Sequence, residues 1–309
     1  MVNILFAGTP DNWPRYKTSL NAALAKAGIT AHLSDTIAPD EVDYIIYAPN
    51  GPVQDFTPYT RAKAVLSLWA GVEKIVGNQT LRIPLTRMVD DGLSQGMKEW
   101  VAGHVLRHHL GMDADILNSD GSWVQNIPPL AQERPVTVLG LGALGQACAT
   151  TLAELGFDVT GWSRSAKTVP GIKCLSGDAG LREALASAEI VVLLLPFTPQ
   201  TENILNAETL ALLPRGAVVI NPGRGPLIDD DALLAALDSG HISHATLDVF
   251  RMEPLPKDHP FWAHPNITVT PHIAADTRPS TAAKVIAENI RRNEVGEALL
   301  YLVDRGAGY

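Results

Sequence analysis

The sequence predicts an α/β protein with a doubly wound parallel (Rossmann) sheet domain and a smaller flavodoxin-like α/β domain completed by the C-terminal helix. Three observations predict it. Short apolar runs bounded by Gly, Pro and Asp alternate with amphipathic stretches along the whole chain, the pattern of parallel sheets covered by helices. A glycine-rich loop, Gly140-Leu141-Gly142-Ala143-Leu144-Gly145, joins one such run to a helical stretch. The 309 residues suffice for two domains at about 150 residues each.

In the first hundred residues the expected strands are 3–7, 30–33, 43–48 and 64–68. A helical stretch follows from Ser94 to Gly111, where Met97, Trp100, Val101, Val105 and Leu110 keep a helical period. A second run of strands is expected at 136–140, 158–162, 190–195, 217–221, 244–249 and 266–270, with helices at 143–155, 180–187, 206–213 and 229–239 between them. The last of these opens on Asp229-Asp230-Asp231, acids that favour a helix start, and closes before Gly240. Six such strands complete a doubly wound sheet. Arg278–Ala298 reads as one long helix leading into a tail that ends at Tyr309, and it is expected to return to the first domain. The expected division is 1–100 with 275–309 for a substrate-binding domain, and 101–274 for a dinucleotide-binding domain.

Hydrophobic residues make up 46% of the chain, enough for large cores and too many for disorder. A net charge of −9 excludes the basic footprint that a nucleic-acid partner needs. Two cysteines, Cys148 and Cys174, have no paired spacing for a metal or redox motif, and no metal site is expected. The N-terminus lacks the basic region of a signal peptide, and no apolar run has the length of a membrane span. A soluble, cytoplasmic protein is expected.

Val136–Leu139 followed by Gly140, Gly142, Ala143, Leu144 and Gly145 has the three parts that a dinucleotide site needs: a strand, a loop that lets backbone approach a pyrophosphate, and a helix N-terminus facing the phosphates. The end of the next strand decides which dinucleotide. An NAD enzyme carries Asp or Glu there for the ribose 2′-hydroxyl, whereas this chain reads Trp162-Ser163-Arg164-Ser165-Ala166-Lys167, with Ser163 standing 23 residues after Gly140. A guanidinium with hydroxyl donors suits a 2′-phosphate, although Arg164 and Lys167 also read as ordinary surface charges. The expected cofactor is NADP(H), with NAD(H) accepted at lower efficiency.

Ligands of open parallel sheets bind beyond the carboxyl ends of the strands, so the segment after each strand end is where chemistry is sought. Leu195 and Pro196 lead into Thr198 and Thr201, a stiff polar wall. Asn221-Pro222-Gly223-Arg224 follows the next strand, then Asp248 with Glu253 just beyond, then His272 with Ala274. Reduction of a 2-keto acid needs a cation to grip the carboxylate and polarise the ketone, which a guanidinium does bidentately. It also needs a proton donor for the forming alkoxide, and histidine suits that near neutral pH when a carboxylate favours imidazolium. The expected roles are therefore Arg224 for substrate, His272 for the proton and Glu253 for the histidine. His259 and His264 precede the last strand and are expected at its amino end; His104, His108 and His109 lie on the long helix, where a solvated or interface role is expected.

These residues resemble the D-isomer-specific 2-hydroxyacid dehydrogenase family, and within it the glyoxylate/hydroxypyruvate reductase A branch. The resemblance covers nearly the whole chain. It is carried by Ala70-Gly71-Val72-Glu73, the Gly140–Gly145 loop, Trp162-Ser163-Arg164, Asn221–Gly225, Leu247–Phe250 with Glu253–Pro256, Thr270–Ala274 and the Tyr309 tail. The spacings of 29 residues from Arg224 to Glu253 and 19 from Glu253 to His272 are similar to that family's. The resemblance implies that Arg224, Glu253 and His272 are the catalytic set. It also implies that Asp248 and the Asn221-Pro222 backbone hold the nicotinamide amide, that Ala70 and Gly71 offer N–H groups to the substrate carboxylate, and that the chain forms a homodimer through the cofactor domain. Trp69 is a departure that would narrow the substrate pocket, with Tyr47 as a second lining residue; Ser163 departs from the family's usual NAD signature.

Two other memberships fit less well. Formate dehydrogenases carry Gln where this chain has Glu253, and the longer phosphoglycerate dehydrogenases need a regulatory domain for which 309 residues leave no room. From another class, the dinucleotide-sensing corepressors resemble this family, but would bring disordered flanks and an NAD-type acid that the sequence lacks.

Overall fold

The computed structural model describes residues 1–118 and 120–308; Tyr309, at the end of the expected tail, lies outside them. Among the described residues there are two parallel sheets, of five and seven strands, and the chain divides into two compact units. Met1–Leu93 with Asp276–Tyr309 form the first, and Ser94–Ala275 the second.

In the first unit the strands are β1 (Val2–Ala7), β2 (Ala31–Ser34), β3 (Tyr44–Tyr47), β4 (Ala64–Ser67) and β5 (Leu85–Thr86), in the order β2-β1-β3-β4-β5. This is the flavodoxin-like order. Alternate residues serve opposite faces. Ile4, Phe6, Tyr44, Ile46 and Leu66 meet α1 (Asn12–Lys26) and α8 (Pro279–Glu294), while Leu5, Ile45, Tyr47 and Val65 meet Phe56, Val72 and Ile75. Both faces of the central strands β3 and β4 are buried, which is why these two are nearly all apolar. α1 was not among the elements expected from sequence. It fully buries only a narrow stripe, Tyr16, Leu20 and Leu24, one residue per turn, with Trp13 and Ala23 packed partly buried beside it.

The second unit begins within α2 (Asp91–Leu110), followed by the short α3 (Met112–Ile116). Its strands are β6 (Pro135–Leu139), β7 (Asp158–Ser163), β8 (Lys173–Ser176), β9 (Ile190–Leu193), β10 (Ala217–Asn221), β11 (Ile242–Leu247) and β12 (Ile267–Val269). They lie in the order β12-β11-β10-β9-β6-β7-β8, all parallel. The expected six strands become seven because β8, a half-exposed edge strand of four residues, has no long apolar run to reveal it. α4 (Ala143–Glu154), α5 (Gly177–Ala186), α6 (Ala207–Leu210) and α7 (Asp230–Asp238) connect them. Asp229 caps α7 by accepting a 3.0 Å hydrogen bond from the Ala232 N–H, so the acidic run is a helix start.

Of the long-helix histidines, for which a solvated or interface role is expected, His108 and His109 pack inward. His109 is 6% exposed and meets Phe157 edge-on at 5.0 Å, while His108 lies against the His244 ring at 4.8 Å and bonds Thr246 Oγ1 at 2.8 Å. His244 in turn bonds Thr268 Oγ1 at 2.8 Å. Burial pushes the His108 imidazole down to about 3 and that of His244 to about 4, so both are neutral in the folded protein near neutral pH.

Candidate active site

Strand order puts the topological switch point between β6 and β9, and the glycine loop leaves β6 there. The three glycines meet different demands. Gly140 has φ +108° and its missing Cβ would lie 2.5 Å from the Leu194 carbonyl oxygen; a Cβ on Gly145 would lie 1.7 Å from the oxygen of Gly140. These two close the turn and seat α4 on the sheet. A Cβ on Gly142 would meet nothing within 4 Å, so its bare backbone, at the N-terminus of α4, borders open space. That cradle fits a diphosphate carried on exposed backbone, beside Ala143 and Leu144.

Across the switch point, Leu195 and Pro196 follow β9. Thr201 Oγ1 donates to the Pro196 carbonyl at 2.7 Å and accepts from the Thr198 N–H at 2.8 Å, so this hydroxyl shapes the wall from within. At the end of β7, Ser163 is buried and donates to the Ser165 carbonyl at 2.8 Å, which folds the chain so that Arg164, Ser165 and Lys167 are exposed. No carboxylate stands between Trp162 and Lys167.

The register aligns Asn221 with Leu247, and Leu247 with Val269, so β10, β11 and β12 end side by side. Asn221 brackets the turn after β10: its Oδ1 accepts from Gly223 N–H at 3.0 Å and its Nδ2 donates to the Arg224 carbonyl at 2.9 Å. Pro222 and Gly223 are buried within that turn, and Arg224 reaches back to the Gly223 carbonyl at 2.6 Å.

Asp248 is fully buried beyond β11, and its carboxylate accepts from Thr270 Oγ1 at 2.5 Å and from the N–H groups of Ile273 and Ala274 at 2.9 Å each. The His272 N–H donates to the Asp248 carbonyl at 2.9 Å. His272 has φ +55°, a left-handed conformation that costs a non-glycine residue on the order of 1 kcal/mol. The Asp248 bonds on both sides of it hold that conformation in place. Its Nδ1 lies 2.7 Å from Glu253 Oε2, while Glu253 Oε1 accepts from the Phe250 N–H at 2.9 Å. The carboxylate is thus fixed from two sides, and an ionised Glu253 requires the proton on Nδ1. Nε2 is left on the opposite edge of a half-exposed ring. His264 and His259 sit before β12, one bonding the Asn266 N–H at 3.1 Å and the other capping a short turn at 260–262.

In the first unit, Trp69, Ala70 and Gly71 follow β4. Trp69 is 36% exposed, with the Lys74 ammonium 5.9 Å from its ring centre. The loop is clamped by residues that no motif singles out. Trp69 N–H donates to Ser67 Oγ at 3.1 Å, Met88 N–H to the Trp69 carbonyl at 3.0 Å, and Thr277 Oγ1 to the Leu68 carbonyl at 2.8 Å. Tyr47 is 2% exposed, its ring 5.6 Å from Phe56, and belongs to the core beneath this loop rather than to a surface.

Comparison with known proteins gives the same picture. Residues 102–274 match the NAD binding domain of the D-isomer specific 2-hydroxyacid dehydrogenases. A glyoxylate/hydroxypyruvate reductase A from Serratia proteamaculans is 36% identical over 317 residues, with both chains covered in full. A D-isomer specific 2-hydroxyacid dehydrogenase from Xanthobacter autotrophicus, solved with NADPH and MES, superposes with a TM-score of 0.92 at 43% identity, covering 100% of this chain and 99% of the other. An NADPH-dependent glyoxylate/hydroxypyruvate reductase from Sinorhizobium meliloti, solved with NADP and sulfate, gives 0.86 at 35% identity, with 100% and 99% covered. The switch-point loop, the three strand ends and these full-length matches place the chain in the D-isomer-specific 2-hydroxyacid dehydrogenase family of oxidoreductases, on its glyoxylate/hydroxypyruvate reductase A branch.

Proposed function

We propose that this protein reduces small 2-keto acids, glyoxylate and hydroxypyruvate, to glycolate and D-glycerate with NADPH, and uses NADH at lower efficiency. The observation that carries the reading is the His272–Glu253 pair, 2.7 Å apart, on the sheet edge that also bears Arg224 and the glycine loop. The dinucleotide would be held by Gly140, Gly142, Ala143, Leu144 and Gly145 at its diphosphate. Arg164, Ser165 and Lys167 would take the 2′-phosphate on the turn that the inward-facing Ser163 folds, a correction to the direct contact expected of Ser163, and Leu195, Pro196, Thr201, Asn221, Pro222, Gly223, Asp248 and Ala274 would line the nicotinamide end. When bound, the nicotinamide supplies hydride to the ketone carbon.

Arg224 binds the substrate carboxylate and polarises the ketone oxygen, charge-assisted contacts that a planar guanidinium makes in pairs. His272 donates its Nε2 proton to the oxygen as it gains charge, while Glu253 stabilises the imidazolium beforehand and fixes the ring by its bond to Nδ1. Ala70 and Gly71 offer backbone N–H groups to the carboxylate, and the Trp69 ring restricts the length of the substrate. Residues 1–100 with 275–309 then act as the substrate-binding domain and 101–274 as the dinucleotide-binding domain.

The same reading takes the protein as a cytoplasmic homodimer joined through the cofactor domain. In support, Ile116, Leu117, Trp123, Val124, Ile127 and Leu130 are all at least 64% exposed along one stretch of the second unit, an apolar surface that a partner copy would cover.

A panel of 2-keto acids assayed with NADPH and with NADH tests the proposal. Glyoxylate and hydroxypyruvate are expected to give the highest kcat/KM, with NADPH ahead of NADH. A branched or long-chain keto acid as best substrate would refute the small-pocket assignment.

A further inference from the structure

The acid–base pair is held by more than its own hydrogen bonds. Arg251 lies two residues before Glu253, immediately after Phe250, whose N–H fixes Glu253 Oε1 at 2.9 Å. Its guanidinium turns away from the pair and into the neighbouring connections. One nitrogen, Nη2, donates to Asn203 Oδ1 and, at 2.6 Å, to the Ile228 carbonyl. Nη1 lies 3.7 Å from Glu202 Oε1, and Nε lies 3.7 Å from Asp230 Oδ1. The Asn203 N–H bonds the Pro226 carbonyl at 2.9 Å, so the 202–203 turn and the 224–228 turn are one support. Backbone packing joins the 224–228 turn to the Phe250 segment as well, for a Cβ on Gly225 would lie 2.0 Å from the Phe250 carbonyl carbon. The turn carrying Arg224 and the loop carrying Glu253 thus meet as bare backbone, and Arg251 crosses their junction.

We propose that Arg251 is a positioning residue, locking the Glu253 loop to the Arg224 turn so that the Glu253 carboxylate stays against His272 Nδ1 while Arg224 keeps its place relative to both. The inference rests on the catalytic roles proposed above. Guanidinium geometry suits this bridging role, since it presents fixed, diverging N–H donors to acceptors on separate segments, which an ammonium cannot do at once. The charged groups facing it are Glu202 and Asp230, with His259 4.0 Å beyond Asp230. His272 meets Glu253 at Nδ1, and the Asp248 carboxylate holds the backbone just after it.

The test compares Arg251→Ala, Arg251→Lys and Asn203→Ala with the unmodified enzyme and with Glu253→Gln, reading the pH profile of kcat/KM for glyoxylate at saturating NADPH. Misplacement of catalytic groups by about 1 Å costs up to about 10²-fold, so a loss of about 10–100-fold in kcat is expected for Arg251→Ala. The falling limb should move to lower pH, as in Glu253→Gln, while NADPH affinity, read by protein fluorescence, stays within about twofold. Arg251→Lys and Asn203→Ala should lie between, and they carry the test if Arg251→Ala does not fold. Added to Glu253→Gln, the Arg251→Ala change should move the limb no further, because it acts through that carboxylate. An Arg251 variant that loses thermal stability but keeps the limb where it was, while Glu253→Gln moves it, overturns the assignment of Arg251 alone. If Glu253→Gln leaves the limb in place, the catalytic reading fails and this inference with it.

Discussion

At the scale of single residues, the candidate catalytic side chains are pinned by the hydrogen bonds of their neighbours. Asp248 is the clearest case. Its position at a strand end is legible in the sequence, and the structure adds three bonds that hold the left-handed backbone of His272. Those bonds were not legible, because a buried carboxylate looks the same in sequence as an exposed one. The same holds for Ser67 and Thr277, whose hydroxyls clamp the Trp69 loop and which no motif marks. The role proposed for Arg164 is the most directly exchangeable. With Ser163 turned inward, it stands exposed at the end of β7 where a carboxylate would favour a ribose hydroxyl. Arg164→Asp is expected to reverse the ratio of kcat/KM values, with NADPH losing about 10²-fold or more from carboxylate–phosphate repulsion and a lost charge-assisted pair. Steady-state kinetics with both cofactors check this, and an unchanged ratio would remove Arg164 from cofactor choice.

At the scale of elements, the glycine loop and α2 carry separate expectations. Gly145→Ala places a methyl 1.7 Å from the Gly140 carbonyl oxygen and cannot be absorbed by rotation of a side chain, so it should lower the melting temperature and abolish tight NADPH binding together. Gly142→Ala meets open space, so it should leave the melting temperature unchanged and weaken NADPH by about tenfold, since only the approaching diphosphate would feel the methyl. Calorimetry and fluorescence titration separate the two outcomes. On α2, His108 and on β11, His244 are held below the ordinary imidazole value of 6.5 chiefly by burial. Unfolding lets them take up protons, so the stability tied to their neutral state is complete above about pH 6.5 and is lost as pH falls towards 4. Taking half of the shifts to allow for partial exposure, the pair accounts for on the order of 3 kcal/mol over that interval. The double substitution His108→Gln, His244→Gln should flatten the acid side of the melting-temperature profile by about 5–10 °C between pH 6.5 and 4. A profile as steep as the original would assign acid lability to other groups. Elements with long apolar runs were legible from sequence; α1 and β8 were not, because a one-residue-per-turn stripe and a half-exposed edge strand give little periodic signal.

At the scale of the whole molecule, the family, the two-sheet architecture and the switch-point loop follow from patterns that sequence preserves well: alternation of element types and glycines in a strand–loop–helix setting. What depends on tertiary placement, such as the burial of His109 on α2 and the core position of Tyr47, could not be read from spacing. The exposed apolar stretch from Ile116 to Leu130 makes assembly testable. Sedimentation equilibrium should give a dimer, and Ile127→Asp, which puts a charge on a residue 89% exposed in the single chain, should shift it towards monomer with the fold intact. A monomer for the unmodified protein would refute the dimer. Whether Arg224, Glu253 and His272 together perform a proton-coupled reduction of a keto acid is decided most sharply by the pH profile of kcat/KM for glyoxylate with saturating NADPH. The rate should fall as pH rises and imidazolium is lost, with the limb displaced to lower pH in Glu253→Gln and kcat reduced about 10²–10⁴-fold in His272→Ala. Near-normal turnover in folded His272→Ala, or an unmoved limb in Glu253→Gln, would contradict it.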